Sequence, residues 1–194
     1  MKESLFGKAN RAFTTKILAG IGGLLAAFLS FTWSIYQSRA SGEVPRIDAG
    51  TVIDAGRWNV TVTSASLAGD MPDGSHVSPG KKALIVDLTL ENRSAESSNI
   101  YRDVLKIENI ADASKPQFYL MRDLALLWDV QPMMPEQVKA VWQVPQELVL
   151  PSQVKLAVVG ATFKPKDNLY AAPGWFPTKP VAVVDLPLVS EAVQ

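Results

Sequence analysis

The sequence predicts a mainly β chain: an antiparallel β-sandwich of seven or eight strands, preceded by one amino-terminal transmembrane α-helix. Three observations carry this reading. An uncharged apolar run lies near the amino terminus, short β-rich runs of alternating polarity follow it between turn signals, and helical periodicity is absent beyond residue 57. The 194 residues leave room for one membrane segment and one domain of ordinary size. With 47% hydrophobic and 20% charged residues the composition is that of a chain that buries a core, which excludes wholesale disorder.

The apolar run spans residues 17–36, "ILAGIGGLLAAFLSFTWSIY", and its 20 residues match the length an α-helix needs to cross the hydrocarbon. Residues 1–16 carry Lys8, Arg11 and Lys16, so the positive-inside rule keeps them in the cytoplasm and exports everything after Arg39. Trp33 and Tyr36 fall where aromatic rings favour the outer headgroup layer. A cleavable signal peptide cut near Ser38-Arg39-Ala40 is the alternative, but the run is longer than the usual signal core. The reading therefore places the chain in a membrane, with its amino terminus in the cytoplasm and its carboxy-terminal domain exported.

Wound at helical pitch, Ala19, Gly22, Gly23, Ala26, Ala27 and Ser30 share one face, while Ile21, Leu24, Leu25, Phe28 and Phe31 occupy the other. Lipid does not require that sorting. A second helix does, because small residues let two backbones approach closely. The expectation is a helix-packing interface against a larger membrane protein or a second copy.

Residues 37–56 read as a linker, with Gly42, Pro45, Gly50 and Gly56 and no sustained period. The sandwich is expected over 57–189, with a tail at 190–194. Its strands are expected at 58–68, 82–92, 101–109, 117–121, 124–130, 138–145, 154–163 and 181–188. In the second, Leu84, Val86, Leu88 and Leu90 alternate with Ile85, Asp87, Thr89 and Glu91, which gives one buried face; in the sixth, Val138, Ala140, Trp142 and Val144 do the same. So many short strands joined by turns are what an immunoglobulin-like sandwich requires. Pro187 marks the last strand as an edge, because it lacks a donor.

These runs resemble a family of bacterial immunoglobulin-like domains of unknown function, found on membrane-anchored proteins and secreted lipoproteins. The resemblance covers roughly Gly56 to Leu188 and rests on "WNVTVTSASL", on "GKKALIVDLTLENRS" with its Asn-containing turn, and on "MPEQVKAVWQVP". Pro135-Glu136-Gln137 departs from the family's Pro-Gly-acidic turn, and the lipobox cysteine of the lipoprotein members is missing. The resemblance implies the sandwich fold and no catalytic residues. It also implies a bacterial chain, for which the membrane is the bacterial inner (cytoplasmic) membrane and the exported domain periplasmic.

Composition narrows the chemistry further. The first 40 residues carry a net charge of +4 and the remainder −4, so the domain has no basic stripe with which to bind nucleic acid. The absence of cysteine excludes disulfides, Cys-zinc sites, iron–sulfur ligation and thiol nucleophiles. His76, the single histidine, sits in a Gly/Pro/Ser loop without companion ligands, and Asp70 and Asp73 are too few for a calcium loop. No nucleophile elbow, Walker loop or dinucleotide fingerprint occurs, so neither cofactor nor metal is expected. "AAPGWFPTKP" sets Trp175 and Phe176 among prolines, in what reads as a stiff partner-binding loop, and Met133 and Met134 lie in a second apolar loop. The expected function is a non-catalytic accessory or interaction subunit of a bacterial inner-membrane complex, such as a transporter. The alternative is a tethered periplasmic module that binds a ligand or senses one.

Overall fold

The computed structural model describes residues 28–33, 44–111, 113, 115–167 and 171–190. The chain divides into two compact units, Met1–Glu43 and Val44–Gln194.

In the first unit residues 28–33 are helical and expose Phe28, Leu29, Phe31 and Trp33. Among the described residues no helix is long and apolar enough to cross a membrane. This corrects the expected transmembrane helix over 17–36, which needs about 20 consecutive helical apolar residues to cross the hydrocarbon. Of the expected packing face, Ser30 lies among the helical residues 28–33, whereas Ala19, Gly22, Gly23, Ala26 and Ala27 lie outside the described residues, as do residues 1–16.

The second unit is a β-sandwich. Its strands are β1 (Val52–Asp54), β2 (Trp58–Ala68), β3 (Lys81–Asn92), β4 (Leu105–Ile107), β5 (Gln117–Leu120), β6 (Pro135–Pro145), β7 (Gln153–Lys164) and β8 (Gly174–Ser190). One sheet runs β2-β3-β6-β5 with β1 added outside β2, and the other runs β4-β7-β8. With β2 taken as strand A, these are the A-B-E-D and C-F-G orders of a constant-type immunoglobulin sandwich. Within each sheet the pairing is antiparallel. A parallel contact of Ala65–Leu67 with Leu188–Ser190 joins the sheets along one seam.

Period-two alternation builds the core. Leu84, Val86, Leu88 and Leu90 of β3 meet Val138, Ala140, Trp142 and Val144 of β6 in one buried cluster with Leu156 of β7 and Val184 of β8. The opposite face of β3 is not wholly wet: Ala83, Ile85, Tyr119 and Val141 form a second, smaller cluster beneath Met71. Farther along that face Lys139 Nζ binds Asp87 Oδ1 at 2.7 Å, and Asn59 Nδ2 donates to Glu91 Oε2 at 2.8 Å.

Three expectations about the sandwich need correction. It begins at Val44 and not at 57, because Ile47 N–H donates to Val183 O at 2.9 Å and the short β1 pairs with β2, within what reads as a linker. The run Leu124–Val130 is no strand: Leu124 has a φ of 56°, and only the isolated bridges Tyr119–Leu126 and Ser98–Val130 form. Of its apolar residues only Leu127 and Val130 plug the core, from a loop, while Leu124, Leu126 and Trp128 are exposed. The last strand extends from 174 through 190, into both the expected loop and the expected tail. Pro187 falls where β8 leaves β7 for β2, and Arg46 bridges the strand earlier, at Val183, so β8 is not a simple edge.

The turn before β2 is set by glycine. Gly56 has a φ of +81°, and a Cβ there would lie 1.9 Å from Ala161 O on β7, whose N–H in turn donates to Ala55 O. Gly74 has the same backbone sign, at +79°, but open space around it. Gly56→Ala is therefore expected to cost more than about 2 kcal/mol of unfolding free energy, and Gly74→Ala about 1 kcal/mol. Urea titrations of the two variants measure the difference, and equal midpoints would disprove the close approach.

Candidate functional site

Antiparallel pairing brings three connections to one end of the sandwich. These are the loop after β3 (93–104), the loop after β5 (121–134) and the far end of the β7–β8 ribbon (161–167 and 171–177). Binding residues on such domains sit on loops held by the rigid sheets.

The first component is Arg57, carried by the Gly56 turn. Asp54 Oδ1 accepts from Gly56 N–H at 2.8 Å, Arg93 Nη1 holds Asp54 Oδ2 at 2.6 Å, and Arg93 N–H donates to Arg57 O at 2.9 Å. The side chain is only 8% exposed. Its Cζ lies 5.5 Å from the Trp58 ring centroid and 5.8 Å from that of Trp175. Nε is buried without a hydrogen-bond partner. Burial pushes the guanidinium down from its usual range and the Glu96 carboxylate pushes it back up. Arginine nevertheless stays cationic in proteins. Beside it lies a cleft of about 110 Å³, walled by Trp58, Ile100, Val104 and Trp175 and bordered by Asp103, which is paired with Lys115 Nζ at 2.6 Å.

The second component is the ribbon. Register shifts at Val158/Val159 and Val159/Ala161 interrupt the β7–β8 ladder around Gly160, where a Cβ would lie 2.6 Å from Thr178 Oγ1. Beyond them Phe163 and Trp175 pack at 5.5 Å between centroids, and Lys164 Nζ sits 4.8 Å from the Phe176 centroid. Trp175 and Phe176 are thus strand residues and not the loop residues expected. Pro177 and Pro180 are tolerated because they fall opposite Ala161 and Val159, where the ladder is already irregular. Both aromatic rings are half-buried, Trp175 against Arg57.

The third component is the loop after β5. Trp128 is 78% exposed, and Leu124, Leu126, Met133 and Met134 are exposed beside it in sequence; Ile100, at 69%, belongs to the loop after β3. The Tyr101 hydroxyl donates to Leu127 O and, at 3.2 Å, to Trp128 O. Its ring meets Trp58 edge-on at 6.2 Å and Phe118 at 5.0 Å, so an aromatic chain crosses the core beneath this surface. Burial raises the Tyr101 pKa, with Arg102 lowering it and Asp129 adding to the rise.

His76 Nδ1 lies 2.8 Å from Asp70 Oδ1 on an exposed loop, and Asp73 Oδ1 accepts from Ser75 N–H and Oγ–H. Among the described residues no three His, Asp or Glu side chains converge as cation ligands. Sequence reasoning missed Arg57, Ile100 and Trp128. The available signal for the first was a cation between a turn glycine and a buried aromatic, and for Trp128 an aromatic next to Asp in an apolar run that does not alternate.

No family model and no curated protein matches the chain. Among solved structures it is similar to an uncharacterized β-sandwich protein from Clostridium difficile, at 13% identity and a TM-score of 0.47, over 74% of this chain and 96% of that one.

Two predictions follow from these contacts. Tyr101→Phe removes the donor to two loop carbonyls and is expected to cost about 1–3 kcal/mol, read from the denaturant midpoint, with faster proteolysis confined to 121–134. An unchanged cleavage rate would mean that the hydroxyl does not hold the loop. The Gly56 N–H holds the Asp54 carboxyl below the usual range, against partial desolvation that raises it, and Arg93 adds to the lowering. A depressed folded-state pKa contributes stability that is present above the unfolded value of about 3.9 and is lost as pH falls through the folded one. Asp54→Asn should therefore flatten the acid limb of stability against pH, and an unaltered limb would remove Asp54 from it.

Proposed function

We propose that this chain is a non-catalytic interaction domain, an accessory subunit of a bacterial envelope complex that docks a protein partner with the loop end of its sandwich. The observation that carries the reading is the crowding of exposed large apolar side chains onto that end: Ile100, Leu124, Leu126, Trp128, Met133 and Met134. Elsewhere on the unit such residues, Val52, Val149 and Val189, are far apart in sequence and on different elements. Scattered apolar residues are ordinary, whereas aromatic, Met and Ile side chains on scaffolded loops are the material of interface hot spots. Phe163, Trp175 and Phe176 extend the apolar surface along the ribbon. The resemblance to bacterial immunoglobulin-like domains favours an extracytoplasmic setting, with which the absence of cysteine is compatible.

The test is affinity capture by the tagged full chain from native cells, comparing wild type with Ile100→Asp and Trp128→Asp after circular dichroism confirms that both fold. A partner recovered with wild type should fall at least about tenfold with each variant, as loss of a hot-spot residue implies. Equal recovery by wild type and both variants would place the interface elsewhere.

A further inference from the structure

We propose that the Arg57 cleft receives a carboxylate side chain, an Asp or Glu presented by the docked protein. This inference rests on the docking reading above. A buried guanidinium ordinarily finds in-plane acceptors for its five N–H donors. Here two indole rings attend to the charge but accept none of those donors, and Nε is left buried and unpartnered. The chain's own carboxylates do not fill the role. Asp103 borders the cleft but is bound to Lys115 at 2.6 Å, and Glu96 acts on Arg57 through its charge without a hydrogen bond or ion pair among the described residues.

The cleft also limits what enters it. At about 110 Å³ it holds the end of one side chain, well under the roughly 300–1,000 Å³ of sites that enclose a whole small molecule. Its apolar walls, Trp58, Ile100, Val104 and Trp175, lower the polarity around the charge and strengthen any pairing made there. Asp103 at the border disfavours a dianion such as phosphate, and a single carboxylate matches the fork of one arginine. Ile100 links the cleft to the apolar loop end, so one partner segment can cover both.

The experiment follows the Arg57 Nε–H and the Trp58 and Trp175 indole N–H signals of the full chain by nuclear magnetic resonance. The probes are propionate, which copies the end of a Glu side chain, its neutral isostere propionamide, and the capped peptide acetyl-Ala-Ala-Glu-Ala-Ala-amide. Propionate should give a saturable shift with a Kd on the order of 1–10 mM, and propionamide a shift at least about tenfold weaker. Arg57→Lys, which keeps the charge and loses the fork, should bind propionate about tenfold more weakly. The Glu peptide should bind at least as tightly as propionate.

Equal response to propionate and propionamide, or none to either, overturns the proposal on wild-type protein alone, whatever the fate of the variant. Binding of propionate with exclusion of the peptide overturns the side-chain source in favour of a free small carboxylate. Partner capture that survives Arg57→Lys but fails with Trp128→Asp leaves docking standing and removes the carboxylate from it.

Discussion

The loop end depends on one buried amide. Asn92, the last residue of β3, is fully buried and makes every hydrogen bond its position allows to the two connections beside it. Its Nδ2 donates to Glu96 O at 2.7 Å and Val130 O at 2.9 Å, its Oδ1 accepts from Ser94 N–H and Oγ–H, and its backbone carbonyl takes Met133 N–H at 2.7 Å. Each bond is worth about 1 kcal/mol net, but the arrangement matters more than the sum. A buried polar network that is fully satisfied specifies one geometry, whereas a partial one leaves carbonyls in the core without partners. Through Asn92 the rigid β3 dictates where Ile100 and Trp128 stand.

A second constraint works from the opposite side of the same end. The Gly56 turn presses against Ala161 of β7, and Arg57 leaves that turn to lie between an indole on each sheet, Trp58 on β2 and Trp175 on β8. The cation spans the opening of the sandwich and leaves its donors unmatched. Local polar dissatisfaction inside an otherwise consistent fold is the kind of departure that marks a binding site and not a packing error.

The sandwich was largely legible in the residues because period-two alternation is a direct consequence of a sheet with one dry face. β2 is read from Trp58 to Ala68 without error, and β3, β6 and β7 differ only at their ends. What was not legible depended on tertiary context. The run "LALLWDV" has strand composition, yet Leu127 and Val130 plug the core from a loop while Leu124, Leu126 and Trp128 face water. "GWFP" looks broken by proline but lies in a ladder whose bulges need no donor at those positions. At the amino terminus the apolar run with its basic flank reads as a membrane helix, but among the described residues no helix is long and apolar enough to cross a membrane. The candidate site was half visible: Trp175 stood out as an aromatic, while Arg57 gains meaning only from the two rings that fold around it.

The way β8 passes from one sheet to the other bears on how these molecules behave at high concentration. By joining β2 over Leu188–Ser190 and pairing with Pro45–Ile47 at Val183, the longest strand has part of its free side covered. The strands left at the margins are β1, β4 and β5, of 3, 3 and 4 residues. Edges so short offer few unpaired amides for another chain to extend. A protein that displays so much apolar surface on its loops therefore risks sticking to its neighbours loop to loop, but is guarded against growing with them into a continuous fibril.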